Sequence, residues 1–100
     1  MEKLVSLGKI LSDMNRVKII ALMQREKELC VCEICDTLQL SQPLVSRHLK
    51  QMREAEIVQT KQSGKWMIYS LCNNETIYCL LDTIQEDIKK LPKVISCATR

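Results

Sequence analysis

Apolar positions keep helical spacing through the first half of the chain, switch to two short extended runs, and return to helical spacing at the end. Leu4, Leu7, Ile10 and Leu11 predict a first helix. Asp13 is placed to cap a second, with Val17, Ile20 and Met23 on its inner face. After the charged Glu26-Lys27-Glu28, a shorter helix is expected over roughly Cys32 to Leu38. Gln39-Leu40-Ser41 makes a tight connection, with Ser41 as the next N-cap and Pro43 in a first turn whose amides lack intrahelical partners. That helix runs to about Ala55, with Leu44, Val45, Leu49 and Met52 available to the core. Ile57 to Lys61 and Trp66 to Leu71 read as strands, joined through Gln62-Ser63-Gly64-Lys65 as a hairpin turn. Ile77, Leu80, Leu81, Ile84, Ile88 and Leu91 form one long stripe on a last helix, stopped near Pro92.

The expected order is therefore α-α-α-α-β-β-α, a mainly α chain with a β-hairpin wing (α+β). Its third and fourth helices, tight turn and hairpin spell a winged helix-turn-helix, taken as one domain over residues 1–100. Hydrophobic residues make up 46% of the chain but aromatic ones only 3%, so the core is aliphatic. Apolar area is left over once a core this small is filled, which favours a homodimer. The last stripe and the first helix are its expected surface, the alternative being that both complete the monomer core.

Charge placement changes the picture more than the net +3 does. Between Ser41 and Lys65 lie Arg47, Lys50, Arg53, Lys61 and Lys65 against only Glu54 and Glu56, so this quarter carries the whole excess. A localised basic stretch reads as a polyanion contact. Gln42, Ser46, Arg47 and Lys50 lie away from the apolar face of the fourth helix. Gln addresses adenine, Arg and Lys guanine, and Ser bases or phosphate. Lys61 and Lys65 are expected to flank the hairpin tip, where a wing touches backbone phosphate. The candidate interface with double-stranded operator DNA is thus Ser41, Gln42, Ser46, Arg47, His48, Lys50, Lys61 and Lys65. For His48, the one histidine, a structural or backbone-bonding role stands beside a DNA contact. No cofactor is expected for DNA binding. No apolar run is long enough for a membrane span and the start does not read as a signal peptide, so a cytoplasmic protein with reduced thiols is expected.

Leu40-Ser41-Gln42-Pro43-Leu44-Val45-Ser46-Arg47-His48-Leu49-Lys50, followed by Arg53-Glu54-Ala55-Glu56-Ile57-Val58, resembles the recognition-helix signature of the arsenical-resistance repressors, the ArsR/SmtB-type family. The resemblance runs from Asp13 and Arg16 through the wing. Glu56 departs from it, because the family usually has glycine at this helix end, where a left-handed residue is needed. Glu28-Leu29-Cys30-Val31-Cys32-Glu33-Ile34-Cys35 resembles the inducer motif Glu-Leu-Cys-Val-Cys-Asp-Leu-Cys of the arsenic-responsive branch, with Glu33 for the usual Asp. The resemblance implies a transcriptional repressor released from DNA when trivalent arsenic or antimony, As(III) or Sb(III), binds Cys30, Cys32 and Cys35 as inducer. A soft centre with a lone pair takes three thiolates in a pyramid. At about 100° per residue, Cys32 and Cys35 share a helix flank roughly 60° wide. A helical Cys30 would point about 160° or more away. The three sulfurs converge only if the chain at Cys30 is not helical, so ligation should distort the start of the third helix. Cys72 and Cys79 match no ligand pattern, and Cys97 reads as a surface thiol or an extra ligand.

Three other sensors share this fold. A zinc sensor would draw on Asp82, Glu86 and Asp87 of the last helix, but that helix has no histidine and zinc wants four ligands. A cadmium- or lead-sensing repressor has a similar thiolate motif. A thiol-redox-sensing repressor would pair two of the cysteines. A redox or arsenate-reducing enzyme through Cys32-x-x-Cys35 is disfavoured, since no strand is expected before the motif and no glycine loop could cradle a phosphate.

Overall fold

The computed structural model describes residues 1–95; Cys97 falls outside the described residues. Its elements are α1 (Glu2–Leu11), α2 (Met14–Glu26), β1 (Leu29–Cys30), α3 (Val31–Leu38), α4 (Gln42–Glu54), β2 (Val58–Ser63), β3 (Trp66–Leu71), α5 (Glu75–Asp82) and α6 (Gln85–Lys90). The winged helix-turn-helix expected from the sequence is present, with two additions. A two-residue strand, β1, pairs antiparallel with β3 and makes the wing a three-stranded sheet of order β1-β3-β2. The single last helix is instead two: Thr83 turns its hydroxyl back onto the Leu80 carbonyl, and Ile84 leaves helical geometry at φ −123°, ψ 28°.

Helix α2 is the centre of the molecule. Ile19, Ile20, Ala21, Leu22 and Met23 are all buried, so its middle turns are enclosed while Met14 and Lys18 stay exposed, and the inner face is wider than its spacing suggests. Asp13 caps its start, accepting from the Asn15 and Arg16 amides at 2.8 and 3.2 Å. Two arginines on α2 tie neighbouring helix ends to it. Arg16 donates to the carbonyls of Ile10 and Lys9 at the end of α1 and to Gln51 Oε1 on α4 at 2.7 Å. Arg25 donates to the carbonyls of Ile88, Leu91 and Pro92 at the end of α6.

The helix-turn-helix packs Ile34 of α3 and Val45, Leu49 and Met52 of α4 into the common core. Helix α3 ends on Gln39 in the left-handed region, φ 56°, with Leu40 N–H returning to the Cys35 carbonyl at 3.1 Å. Ser41 then caps α4 by accepting from the Leu44 amide. In the wing, strand β2 runs on to Ser63, so the loop is only Gly64-Lys65, shorter than the four residues expected. Gly64 has φ +61°, the conformation a II′ hairpin turn demands of its first central residue.

Helix α4 closes with a doubly bonded left-handed cap. Glu56 N–H bonds the Arg53 carbonyl and Ile57 N–H bonds the Met52 carbonyl, at 3.0 and 2.9 Å, with Glu56 at φ 61°. A side chain other than glycine costs about 1–2 kcal/mol in that conformation. Glu56→Gly should accordingly raise stability by about 1 kcal/mol, read as a higher urea midpoint at unchanged slope.

Candidate metalloid and DNA-binding sites

Cys30 occupies an unusual place. It is the last residue of β1, opposite Ile68 of β3, and also the N-cap of α3, with extended backbone at φ −92°, ψ 166°. The non-helical geometry that convergence of the sulfurs requires is therefore built in. Cys30 Sγ lies 3.1 Å from Cys32 Sγ. A reciprocal capping box holds the turn: the Cys30 sulfur accepts from the Glu33 backbone N–H, and Glu33 Oε1 accepts from the Cys30 N–H at 3.0 Å. This makes Glu33, only 1% exposed, a buried carboxylate bonded at a helix start, where negative charge is favoured. Its role was missed from the sequence, although the cap-x-x-Glu spacing was visible with cysteine in place of Ser or Thr.

Cys35 lies further along α3, near enough to Cys30 to feel its charge. Among the described residues no group of three or more His, Cys, Asp or Glu side chains is placed to hold a metal ion. The sulfurs of Cys30 and Cys32 are adjacent, and Cys32 is not among the free cysteines. Burial, and then Asp36, pushes the Cys35 thiol above its ordinary pKa, and burial does the same at Cys72. Glu86 is engaged with Lys89, and the acids of α5 and α6 form no metal-binding group among the described residues.

The exposed face of α4 carries Gln42, Ser46, Arg47 and Lys50, with Ser41 at its head. Arg53 is exposed on the same helix. His48 is not on that face. It is 5% exposed and turned inward, so a contact to DNA is not open to it in this arrangement. Its two ring nitrogens find no hydrogen-bond partner, and Nε2 sits 4.0 Å from Asp13 Oδ1. Lys61 is likewise misplaced by the sequence reading. It sits opposite Ile68, away from the hairpin tip, and its ammonium pairs with Glu28 at 2.6 Å. Lys65 is at the tip, its Nζ 6.0 Å from the Trp66 ring centroid.

The family model of bacterial regulatory proteins of the arsR family matches residues 13–60. The arsenic resistance transcriptional regulator ArsR1 of Pseudomonas putida is 49% identical over 63 residues, 63% of this chain and 49% of that protein. This chain thus spans about half the length of that relative. The arsenical resistance operon repressor of Staphylococcus xylosus is 34% identical over 87 residues, 87% of this chain and 78% of its own. The cadmium resistance regulatory protein CadC of Listeria innocua is 38% identical over 65 residues, 65% of this chain and 55% of its own. Among solved structures, reduced HlyU of Vibrio cholerae superposes with a TM-score of 0.76 at 27% identity, over 85% of this chain and 87% of that one.

Burial lowers the proton affinity of His48, opposed by Asp13 and reinforced by Arg16 and Arg47; Gln51 also faces the ring. The unfolded chain therefore takes up the proton first. The contribution to stability is complete above the ordinary imidazole value of 6.5 and is lost as pH falls below it. Asp13, lowered from 3.8 by its cap bonds, loses its contribution only in more acidic solution. Urea midpoints should thus fall between pH 7 and 5 in the native chain, and His48→Leu should flatten that slope.

Proposed function

The chain belongs to the arsR family of bacterial regulatory proteins, and on that premise we propose that it is a repressor that leaves its operator when trivalent arsenic or antimony binds at Cys30, Cys32 and Cys35. The observation that carries the inducer reading is the Cys30–Cys32 pair at 3.1 Å, set at the first turn of the helix that packs against α4. Two thiolates chelate a soft, thiophilic centre, and Cys35 lies one turn further along α3 as the third donor. Recruiting Cys35 deforms the start of α3, and α3 supports α4. Ligand-bound and DNA-bound states therefore favour different conformations of one element, which is a coupling between two sites. The resemblance of this segment to the arsenic-responsive motif, and the names of the relatives from Pseudomonas putida and Staphylococcus xylosus, favour arsenic over cadmium.

On the DNA side, Gln42, Ser46, Arg47 and Lys50 enter the major groove and Lys65 meets backbone phosphate. The protein acts as a homodimer in the cytoplasm. Leu4 and Val5 of α1 are 68% and 57% exposed. An apolar groove of about 660 Å³ between α2 and α6, lined by Leu11, Met14, Val17, Ala21, Ile84 and Leu91, also awaits cover.

In fluorescence anisotropy with promoter DNA, arsenite should release the reduced protein, and Cys30→Ser and Cys32→Ser should remove the response while retaining DNA binding. Release by cadmium or by an oxidant alone would move the inducer to another class. Arg47→Ala should weaken operator binding by about 1–3 kcal/mol and relax preference at the base it contacts.

A further inference from the structure

Arg16 stands where three helices meet. From the first turn of α2, its Nε and one terminal nitrogen donate to the carbonyls of Ile10 and Lys9 near the end of α1, at 2.9 and 3.0 Å. The other terminal nitrogen donates to Gln51 Oε1 of α4 at 2.7 Å. One guanidinium on α2 thus serves acceptors on two other helices, a use of its rigid fork of donors that a lysine ammonium does not match. It spans a notch of about 370 Å³, walled by Ser6, Lys9 and Ile10 on the α1 side and by Gln51, Glu54 and Ala55 on the α4 side.

Gln51 follows Lys50 and lies one turn on from Arg47, about 40° away around the helix. Val45, Leu49 and Met52 hold α4 to the core, but apolar burial is non-directional, so a directed bond sets the rotation of the helix more closely. His48, also turned toward the start of α2, makes no hydrogen bond through its ring and stands 4.0 Å from Asp13. We infer that Arg16 is a positioning residue for operator recognition: by holding Gln51 against the end of α1 it fixes the rotation of α4, and with it where Arg47 and Lys50 point. This rests on the proposed reading of DNA by α4 and adds to it a residue outside the groove-facing set.

Fluorescence anisotropy at one salt concentration tests this on the full chain, with a duplex of its own promoter and an unrelated duplex of equal length. Gln51→Ala, at an exposed position, and Arg16→Ala should each lower promoter affinity about tenfold relative to the unrelated duplex. A mere loss of folded protein would lower both affinities alike and leave their ratio unchanged. The double variant should lose no more than either single one, because the two side chains act as a unit. Where Arg16→Ala fails to fold, Arg16→Lys takes its place in the cycle, since it keeps a charge at the end of α1 but not the fork. Losses that add would make Gln51 a DNA contact in its own right and overturn the inference. An unchanged ratio in Gln51→Ala would overturn it as well, with the repressor reading left standing. A native chain that binds both duplexes alike would instead sink the reading of DNA by α4, and the inference with it.

Discussion

A residue that ends a strand and caps a helix has a backbone N–H that neither element's regular bonding supplies. At Cys30 the Glu33 carboxylate takes that N–H, and the Cys30 sulfur returns the favour at the Glu33 amide. The pair fixes the angle at which the chain leaves the sheet, and so the direction of α3 and the seat of α4 upon it. Serine or threonine usually caps in this way. With cysteine the same atom that satisfies the helix is a soft ligand, and whatever binds it competes with the cap. Burial of Glu33 raises the stakes, because a buried carboxylate is tolerated only while its bonds are made. Structure and the proposed sensing thus draw on one sulfur.

The sequence exposed the parts of this arrangement that are local. Asp13 and Ser41 announce their helices because a cap needs only its own first turn, and both accept the amides expected of them. Helix α4 declared its buried face through Val45, Leu49 and Met52, whereas the angle between three cysteines made a non-helical Cys30 only the condition for their convergence, and packing at the strand end decided it. Less legible were features whose partners lie far along the chain. Two residues of β1 offer no alternation to detect, and their partners, Ile68 and Tyr69, are some forty residues on. The break at Thr83 and Ile84 hides because Ile77, Leu81, Ile84, Ile88 and Leu91 keep a helical rhythm across it. His48 was ambiguous because it borders both faces of α4, and only packing decided that it turns inward.

The wing illustrates how one added strand changes an argument. With the hairpin alone, Lys61 reads as a free cation at a DNA-facing edge. With β1 present, Glu28 is brought within reach and Lys61 becomes the far end of a tie to the thiol segment. What remains for phosphate at the tip is Lys65, held on a two-residue loop by Gly64 in the left-handed region.

Rigidity elsewhere frames this site. Arg16 binds the end of α1 and reaches Gln51 of α4, while Arg25 binds the end of α6, and both spring from α2, whose middle turns are buried. A helix enclosed there and tied near both ends to its neighbours cannot shift without disturbing the packed core, which responds to small displacements as a whole. The two arginines therefore set where α1, α4 and α6 stand against α2, and with α4 the surface that carries Arg47 and Lys50.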